Sequence, residues 1–324
     1  MIRIAVLGAG GHSRREHGPA LITLKAELGE ELELAAVCDL DRDKAAAYAT
    51  QFGFDKTYTD LDAMLDTERP DGLIAVTPIA LTESLVSALL PQKTPLLIEK
   101  PPGENSAATR RLLKIEEDTG TPHMISFNRR FCPAVEKARA WLEEHAAARP
   151  PYLVLGRMLR PKRREANFAV GTGIHLIDCV LSFLGRPDKV AAQRRPGPVE
   201  GAFSFTASAG FPGDARALFV ISPEAGVHEE TYEIHGVGYC IQIDAFHCGI
   251  RVFQENTETF AWQAPPDSGV EFLSGTAGET RAFIRCLRDG TAMSPTLADG
   301  LVSMLVAEAV QEGKDRRTDA QATV

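Results

Sequence analysis

Short apolar runs alternate with segments of helical period over roughly the first 122 residues. Ile2 to Leu7, Leu32 to Cys38, Gly72 to Val76 and Leu96 to Ile98 read as strands. Ala20 to Leu28, Arg42 to Phe52, Asp60 to Leu65, Leu81 to Leu90 and Ser106 to Thr119 read as helices. Strands separated by helices of this length predict βαβ units and a parallel sheet, because each crossover helix buries one face on the strands it joins. From Tyr152 the rhythm changes to strand-like runs separated by turn residues: Tyr152 to Leu159, Ala202 to Ala209, Ala215 to Ile221, Thr231 to Ile234, Tyr239 to Ile243, Val252 to Gln254 and Thr259 to Trp262. Val237-Gly238 reads as a hairpin turn between two of them. The helical exception is His175 to Leu184, closed by Gly185 and followed by Pro187. Helical period returns at Glu279 to Leu287 and Asp299 to Val310, and the polar tail from Glu312 to Val324 is expected to fray.

The pattern predicts an α/β Rossmann-type domain with a parallel sheet over residues 1–122. An α+β domain with a large, mainly antiparallel sheet follows over 123–324, its terminal helical segment packing back on the first domain. A long antiparallel sheet with an apolar face must be covered. A homodimer or homotetramer through that sheet is therefore expected.

Composition removes several function classes. A net charge of -9 argues against a nucleic-acid partner, which calls for a basic footprint. Met1 to Leu7 is too short an apolar run for a signal peptide, and no later stretch reaches membrane-spanning length unbroken. Cys38, Cys132, Cys179, Cys240, Cys248 and Cys286 show no Cys-x-x-Cys spacing and lie mostly in apolar segments, as buried thiols of a reducing compartment do. A cytoplasmic protein without disulfides is expected. His228, His235 and His247 lack ligand spacing, so no metal is assigned.

Gly8-Ala9-Gly10-Gly11-His12-Ser13 follows the first strand directly. Glycines there allow a tight turn and let the backbone approach a pyrophosphate, which points to a dinucleotide. Ser13 stands where a third glycine is usual, and Ser13-Arg14-Arg15-Glu16 also spells a capping box. Gly18-Pro19 would interrupt the helix after one turn, so Pro19 is expected to begin the main helix after a lengthened loop. Arg14 and Arg15 read as surface charges within reach of a pyrophosphate. Asp39 ends the second strand, where a carboxylate accepts from ribose hydroxyls and repels a 2′-phosphate; it favours NAD, and Arg42 keeps NADP open. The other reading of Asp39 is a turn aspartate capping the next helix. Lys100, in Ile98-Glu99-Lys100-Pro101, leaves an apolar strand where open α/β sheets bind ligands, and is expected to face the nicotinamide.

These segments resemble the Gfo/Idh/MocA family, the glucose-fructose oxidoreductase and inositol dehydrogenase group. The likeness is carried by Gly8 to Ser13, Val37-Cys38-Asp39, Thr77-Pro78, Glu99-Lys100-Pro101, Phe127-Asn128-Arg129-Arg130-Phe131, Gly173 to Asp178, and Phe283 with Asp299-Gly300-Leu301. It implies that Lys100 contacts the substrate hydroxyl and the nicotinamide, and that His175 serves as acid/base. It places Gly8, Gly10, Gly11, His12, Ser13, Asp39, Thr77, Pro78, Glu99, Lys100 and Asn128 around the cofactor. Arg129, Arg160, Lys162 and Gly171 are the implied substrate-side positions, the basic run from Arg157 to Arg164 also reading as a solvated loop. Two departures stand out. The family's aspartate four residues before the histidine falls on Gly171, and Ile79 to Thr82 lack its asparagine and histidine after Thr-Pro. Asp178 and the pair Glu229-Glu230 read as a helix-side structural carboxylate and exposed strand charges.

The implied activity is an NAD(P)-dependent oxidoreductase that moves hydride between nicotinamide and a secondary hydroxyl or carbonyl. Its substrate would be a sugar, polyol or related small polar compound, acidic ones included. Imidazole titrates near neutral pH and suits the proton transfer, while a fixed lysine charge lowers the alcohol's pKa. The alternatives are an NAD(H)-binding regulator without turnover, or an NAD-assisted lyase or glycosidase with no net redox change.

Overall fold

The computed structural model describes residues 1–197 and 200–318. In chain order the elements are β1 (Ile2–Leu7), α1 (Gly11–Arg15), α2 (His17–Leu28), β2 (Leu32–Cys38), α3 (Arg42–Phe52), β3 (Lys56–Tyr58), α4 (Leu61–Glu68), β4 (Gly72–Ala75), α5 (Ile79–Leu89), β5 (Leu96–Glu99), α6 (Ser106–Thr119), β6 (His123–Ser126) and α7 (Pro133–His145). There follow β7 (Leu153–Leu159), α8 (Ile174–Leu184), β8 (Lys189–Pro196), β9 (Phe203–Gly210), β10 (Arg216–Ser222), β11 (Glu229–Gly236), β12 (Tyr239–Asp244), β13 (Gly249–Gln254), β14 (Thr257–Gln263), α9 (Val270–Leu273), α10 (Thr276–Asp289), α11 (Leu297–Glu312) and β15 (Arg316–Arg317). The chain divides into two compact units, Met1–Asn128 with Gly269–Leu301, and Arg129–Ser268 with Val302–Val324.

The first unit holds a six-stranded parallel sheet in the order β3-β2-β1-β4-β5-β6, the doubly wound order. β4, β5 and β6 are buried at every position, as strands covered on both faces must be. α10 packs on α2 within this unit.

The second unit holds a nine-stranded sheet in the order β14-β13-β12-β11-β7-β10-β9-β8-β15, antiparallel except where β7 runs parallel to β10. β10 alternates exposed and buried positions along its length, so one face is core and the other is not. α8 lies against β7, and Gly156 makes the approach possible: a Cβ there would come within 2.9 Å of Val180 and 3.2 Å of Leu176.

The fold class read from the pattern is the one observed, and the Val237-Gly238 turn joins β11 to β12 as expected. Other local readings change. The main helix begins at His17 rather than Pro19, with no lengthened loop, because a proline in the first turn lacks only an N–H that has no intrahelical acceptor. β3, β6, α7 and β8 were not foreseen; β3 is only three residues long, and α7 carries an apolar face interrupted by charges. Residues 312–318 of the tail expected to fray instead finish α11 and add β15 beside β8, while 319–324 lie outside the described residues. No described helix is long and apolar enough to cross a membrane.

Candidate active site

The Gly-rich turn leaves β1 and enters α1 at once. Gly8 has φ +100°, and a Cβ on it would lie 2.0 Å from the Val76 carbonyl oxygen, so the turn admits only glycine there. Around Gly10 and Gly11, by contrast, nothing lies within 4 Å of where a Cβ would be. That open backbone is what a pyrophosphate needs for close approach, and the residues present fit a dinucleotide. Gly8→Ala should therefore lower the thermal midpoint markedly. Gly10→Ala should leave it unchanged while weakening NADH binding by about tenfold or more, measured by fluorescence titration. Equal losses of stability in both variants would remove the distinction.

Asp39 closes β2. One of its oxygens accepts the Ala9 N–H at 2.8 Å and the other the Asp41 N–H at 2.9 Å. It thus ties the Gly-rich turn to the end of the neighbouring strand. The helix cap is Asp41, which accepts from Asp43 and Lys44. Ser13 is not an N-cap: it lies buried inside α1 and donates to the Tyr48 hydroxyl at 2.9 Å. Glu16, the other end of the supposed capping box, accepts from Ser274 and Thr276. Arg14 donates to the Ala9 and Lys44 carbonyls and to Gln51, bracing the turn from behind.

Glu99 is held by four hydrogen bonds. Its Oε1 meets His12 Nε2 at 3.0 Å and His17 Nε2 at 2.8 Å and accepts from Ser126 Oγ at 3.2 Å, while Oε2 accepts the Lys100 N–H at 3.0 Å. Burial would push the Glu99 carboxyl up, but the hydrogen bonds and charge of His12 and His17 hold it well below the usual range. The carboxylate thereby fixes the backbone at the point where Lys100 leaves β5. Ser126 Oγ also lies 2.7 Å from the buried Glu279, so its single proton is shared between two carboxylates, and Asn128 donates to Thr276 at 3.1 Å. Thr77 and Pro78 lead from β4 into α5, with Thr77 Oγ1 3.5 Å from Thr82 Oγ1.

His12, His17 and Glu99 also form the metal-capable group found among the described residues, their ligand atoms within 4.8 Å of one another. Arg15 lies against the other ring nitrogen of His12, Nδ1, at 3.2 Å. His17 and Glu279 are the first-unit residues that sequence reasoning missed. The available signal was a histidine five residues beyond His12 and a carboxylate on the apolar face of α10 that ends at Ile284.

In the second unit a π-helical turn, Ala169–Gly173, runs into α8, and His175 is the second residue of that helix. Gly171 lies in the π turn, and a Cβ there would meet the Asn167 amide at 3.7–3.9 Å. Three residues past His175, the fully buried Asp178 takes a two-pronged contact from Arg130 at 2.7 and 2.8 Å and a Ser303 hydroxyl at 2.9 Å. α8 is thus pinned one turn from His175.

Arg129 and Arg160 meet on one carboxylate, Glu230 of β11. Arg129 Nε donates at 2.9 Å, Arg160 donates through Nη2, and the Tyr232 hydroxyl adds a bond at 2.8 Å. Two expectations are corrected here. Glu230 is not an exposed strand charge but 1% exposed, and Arg160 is not in a solvated loop but 5% exposed. β11 is a central strand whose inward positions are covered, so a charge there requires partners. Arg157 and Arg164 pair at the surface with Glu229 and Glu224, Arg163 with Glu165, and Lys162 is exposed.

Comparison with known proteins agrees with this architecture. Residues 2–127 match the model of an oxidoreductase family with an NAD-binding Rossmann fold. An inositol 2-dehydrogenase of Streptomyces avermitilis is 25% identical over 98% of this chain and 94% of its own. A D-apiose dehydrogenase of Paraburkholderia graminis is 22% identical over 86% of this chain and 80% of its own. Among solved structures, a dehydrogenase from Chromobacterium violaceum superposes with a TM-score of 0.85 at 18% identity, covering 97% of this chain and 95% of that one. A levoglucosan dehydrogenase in complex with NADH and levoglucosan gives 0.84 at 18%, covering 98% and 99%. The protein is an NAD-binding oxidoreductase, a dehydrogenase by class. The family match lies on the Rossmann half of the chain, and it agrees there with the resemblance to the Gfo/Idh/MocA group carried by the motifs.

Proposed function

We propose that the protein oxidises a secondary hydroxyl of a sugar, polyol or related small polar compound, or reduces the matching carbonyl. The observation that carries the reading is Lys100 at the carboxyl end of β5, its departure from the strand fixed by the clamped Glu99. NAD, when bound, accepts the hydride. Gly8, Gly10, Gly11 and Asp39 supply the turn and strand end that would hold it, with His12, Ser13, Thr77, Pro78 and Asn128 beside them in the same unit. Lys100 lowers the pKa of the substrate hydroxyl as a fixed positive charge, and His175 takes its proton. The names of the relatives, which act on inositol, apiose and levoglucosan, support a polyhydroxylated substrate.

The test is NADH formation and consumption over a panel of sugars, polyols, uronates and their keto forms. Turnover on at least one is the expected result. NADH binding without turnover on any would favour the regulator reading. Gly171 gives that reading its one structural support, since the neighbour of its missing side chain is the neutral Asn167 amide.

The outward face of the second sheet supports self-association. Leu218 and Val220 on β10 are 42% and 44% exposed, and Leu155, the register partner of Leu218 on β7, is half-buried beside them. A dimer or tetramer is expected by light scattering, with Leu218→Lys shifting it toward monomer; a wild-type monomer would refute it. Thiols without Cys-x-x-Cys spacing support a reducing compartment such as the cytoplasm.

A further inference from the structure

We propose that Cys132 and Cys248 are a reversible oxidation site, closing to a disulfide under hydroperoxide. Their sulfurs lie 3.5 Å apart across 116 residues of chain, within the second unit, and both side chains are fully buried. A bond requires closure to about 2.05 Å, a shift that small side-chain rotations supply.

The surroundings divide the two thiols by role. Cys132 is the N-cap of α7, with Pro133 as the first helical residue. Cys248 ends the turn between β12 and β13 at φ +56°, a left-handed position where glycine or asparagine would be less strained. What the cysteine adds there is a sulfur turned onto Cys132. A hydrogen bond from Cys132 and one from the Ala134 N–H hold the Cys248 thiol below its ordinary range against the effect of burial. The same contact, together with burial, pushes the Cys132 thiol up. Cys248, next to the exposed turn residues Phe246 and His247, is the sulfur a peroxide reaches first, and Cys132 at 3.5 Å is the one that resolves it.

The chemistry balances with one equivalent of hydrogen peroxide. The Cys248 thiolate attacks the peroxide oxygen, the O–O bond breaks, and a sulfenic acid and water result. The Cys132 sulfur then attacks the Cys248 sulfur, S–S forms, S–O breaks, and the second oxygen leaves as water. The two thiols lose two hydrogens and two electrons to the peroxide. Access comes through the turn itself, because its neighbours Phe246 and His247 are exposed and Cys248 is reached by opening a hairpin end rather than the core.

The experiment treats the full-length reduced protein with hydrogen peroxide under native conditions, alkylates it in denaturant and maps the peptides with and without dithiothreitol. A Cys132–Cys248 linked pair, two hydrogens lighter and split by dithiothreitol, is the expected result. Constraining so long a loop should also raise the thermal midpoint of the oxidised protein by roughly 5 °C, and Cys132→Ser should abolish that rise. Full alkylation of both thiols after peroxide, or sulfinic acid at Cys248 with no linked peptide, would overturn the proposal. The peptide map of the wild-type protein decides the matter even if the serine variant does not fold.

Discussion

Lys100→Met is expected to lower turnover by at least on the order of a hundred- to a thousandfold while leaving NADH affinity nearly unchanged. Methionine keeps an unbranched, flexible side chain of similar length but removes the charge. In the oxidation proposed above, negative charge develops on the substrate oxygen as its proton departs. A fixed ammonium there stabilises the transition state more than the neutral ground state, so the loss falls on kcat. The backbone should hold its course in the variant, because the bonds that fix it run from Glu99 to the Lys100 N–H, His12, His17 and Ser126 and involve no part of the lysine side chain. Steady-state rates, NADH fluorescence titration and the thermal midpoint together check the prediction. Turnover within a few fold of wild type would remove Lys100 from the chemistry. A parallel loss of NADH binding would make it a cofactor ligand instead.

How much of this was legible in the sequence follows from the range of the interactions. The parallel sheet was readable because β4 and β5 are short apolar runs between helices, and a run buried on both faces has no other use. The tight turn at Gly8 was readable because a turn imposes its needs within a few residues, whereas the bond from the Ala9 N–H to Asp39 joins two strand ends thirty residues apart. The clamp on Glu99 was not readable either. Its partners His12, His17 and Ser126 come from α1, α2 and the end of β6, and no local rule connects residue 12 to residue 99. Likewise Glu230 follows Glu229 in a stretch that looks like solvent-facing charge, and only the pairing of β11 between β7 and β12 turns the second glutamate inward. The alternation of the strand assigns the two glutamates to opposite faces. Which face was buried depended on the register of strands more than seventy residues apart.

Glu230 should be among the costliest side chains of the second unit to remove. Burial raises its carboxyl and the charges of Arg129 and Arg160 lower it, with a net position of about 2 against an ordinary 4.5. A carboxyl depressed in the folded state contributes stability that is complete above its unfolded value and is lost as pH falls toward its folded value. The window here runs from about pH 5 down to about pH 2, and the shift corresponds to about 3 kcal/mol. Glu230→Ala leaves two guanidiniums of the second unit, one of them 5% exposed, without their shared carboxylate. A loss of about 3–5 kcal/mol, or a fall in thermal midpoint on the order of 10 °C, is expected at pH 7. Glu230→Gln isolates the charge from the packing: it keeps an acceptor for Arg129 but cannot titrate. The stability gap between wild type and Glu230→Gln, measured by urea unfolding, should therefore be largest near neutral pH and should shrink as the pH drops through 4 to 3. The other carboxylates are common to both proteins and cancel in that difference. A gap of the same size at pH 7 and pH 3 would show that Glu230 acts through shape and not through its charge, and would leave the two arginines paired with something other than this carboxylate.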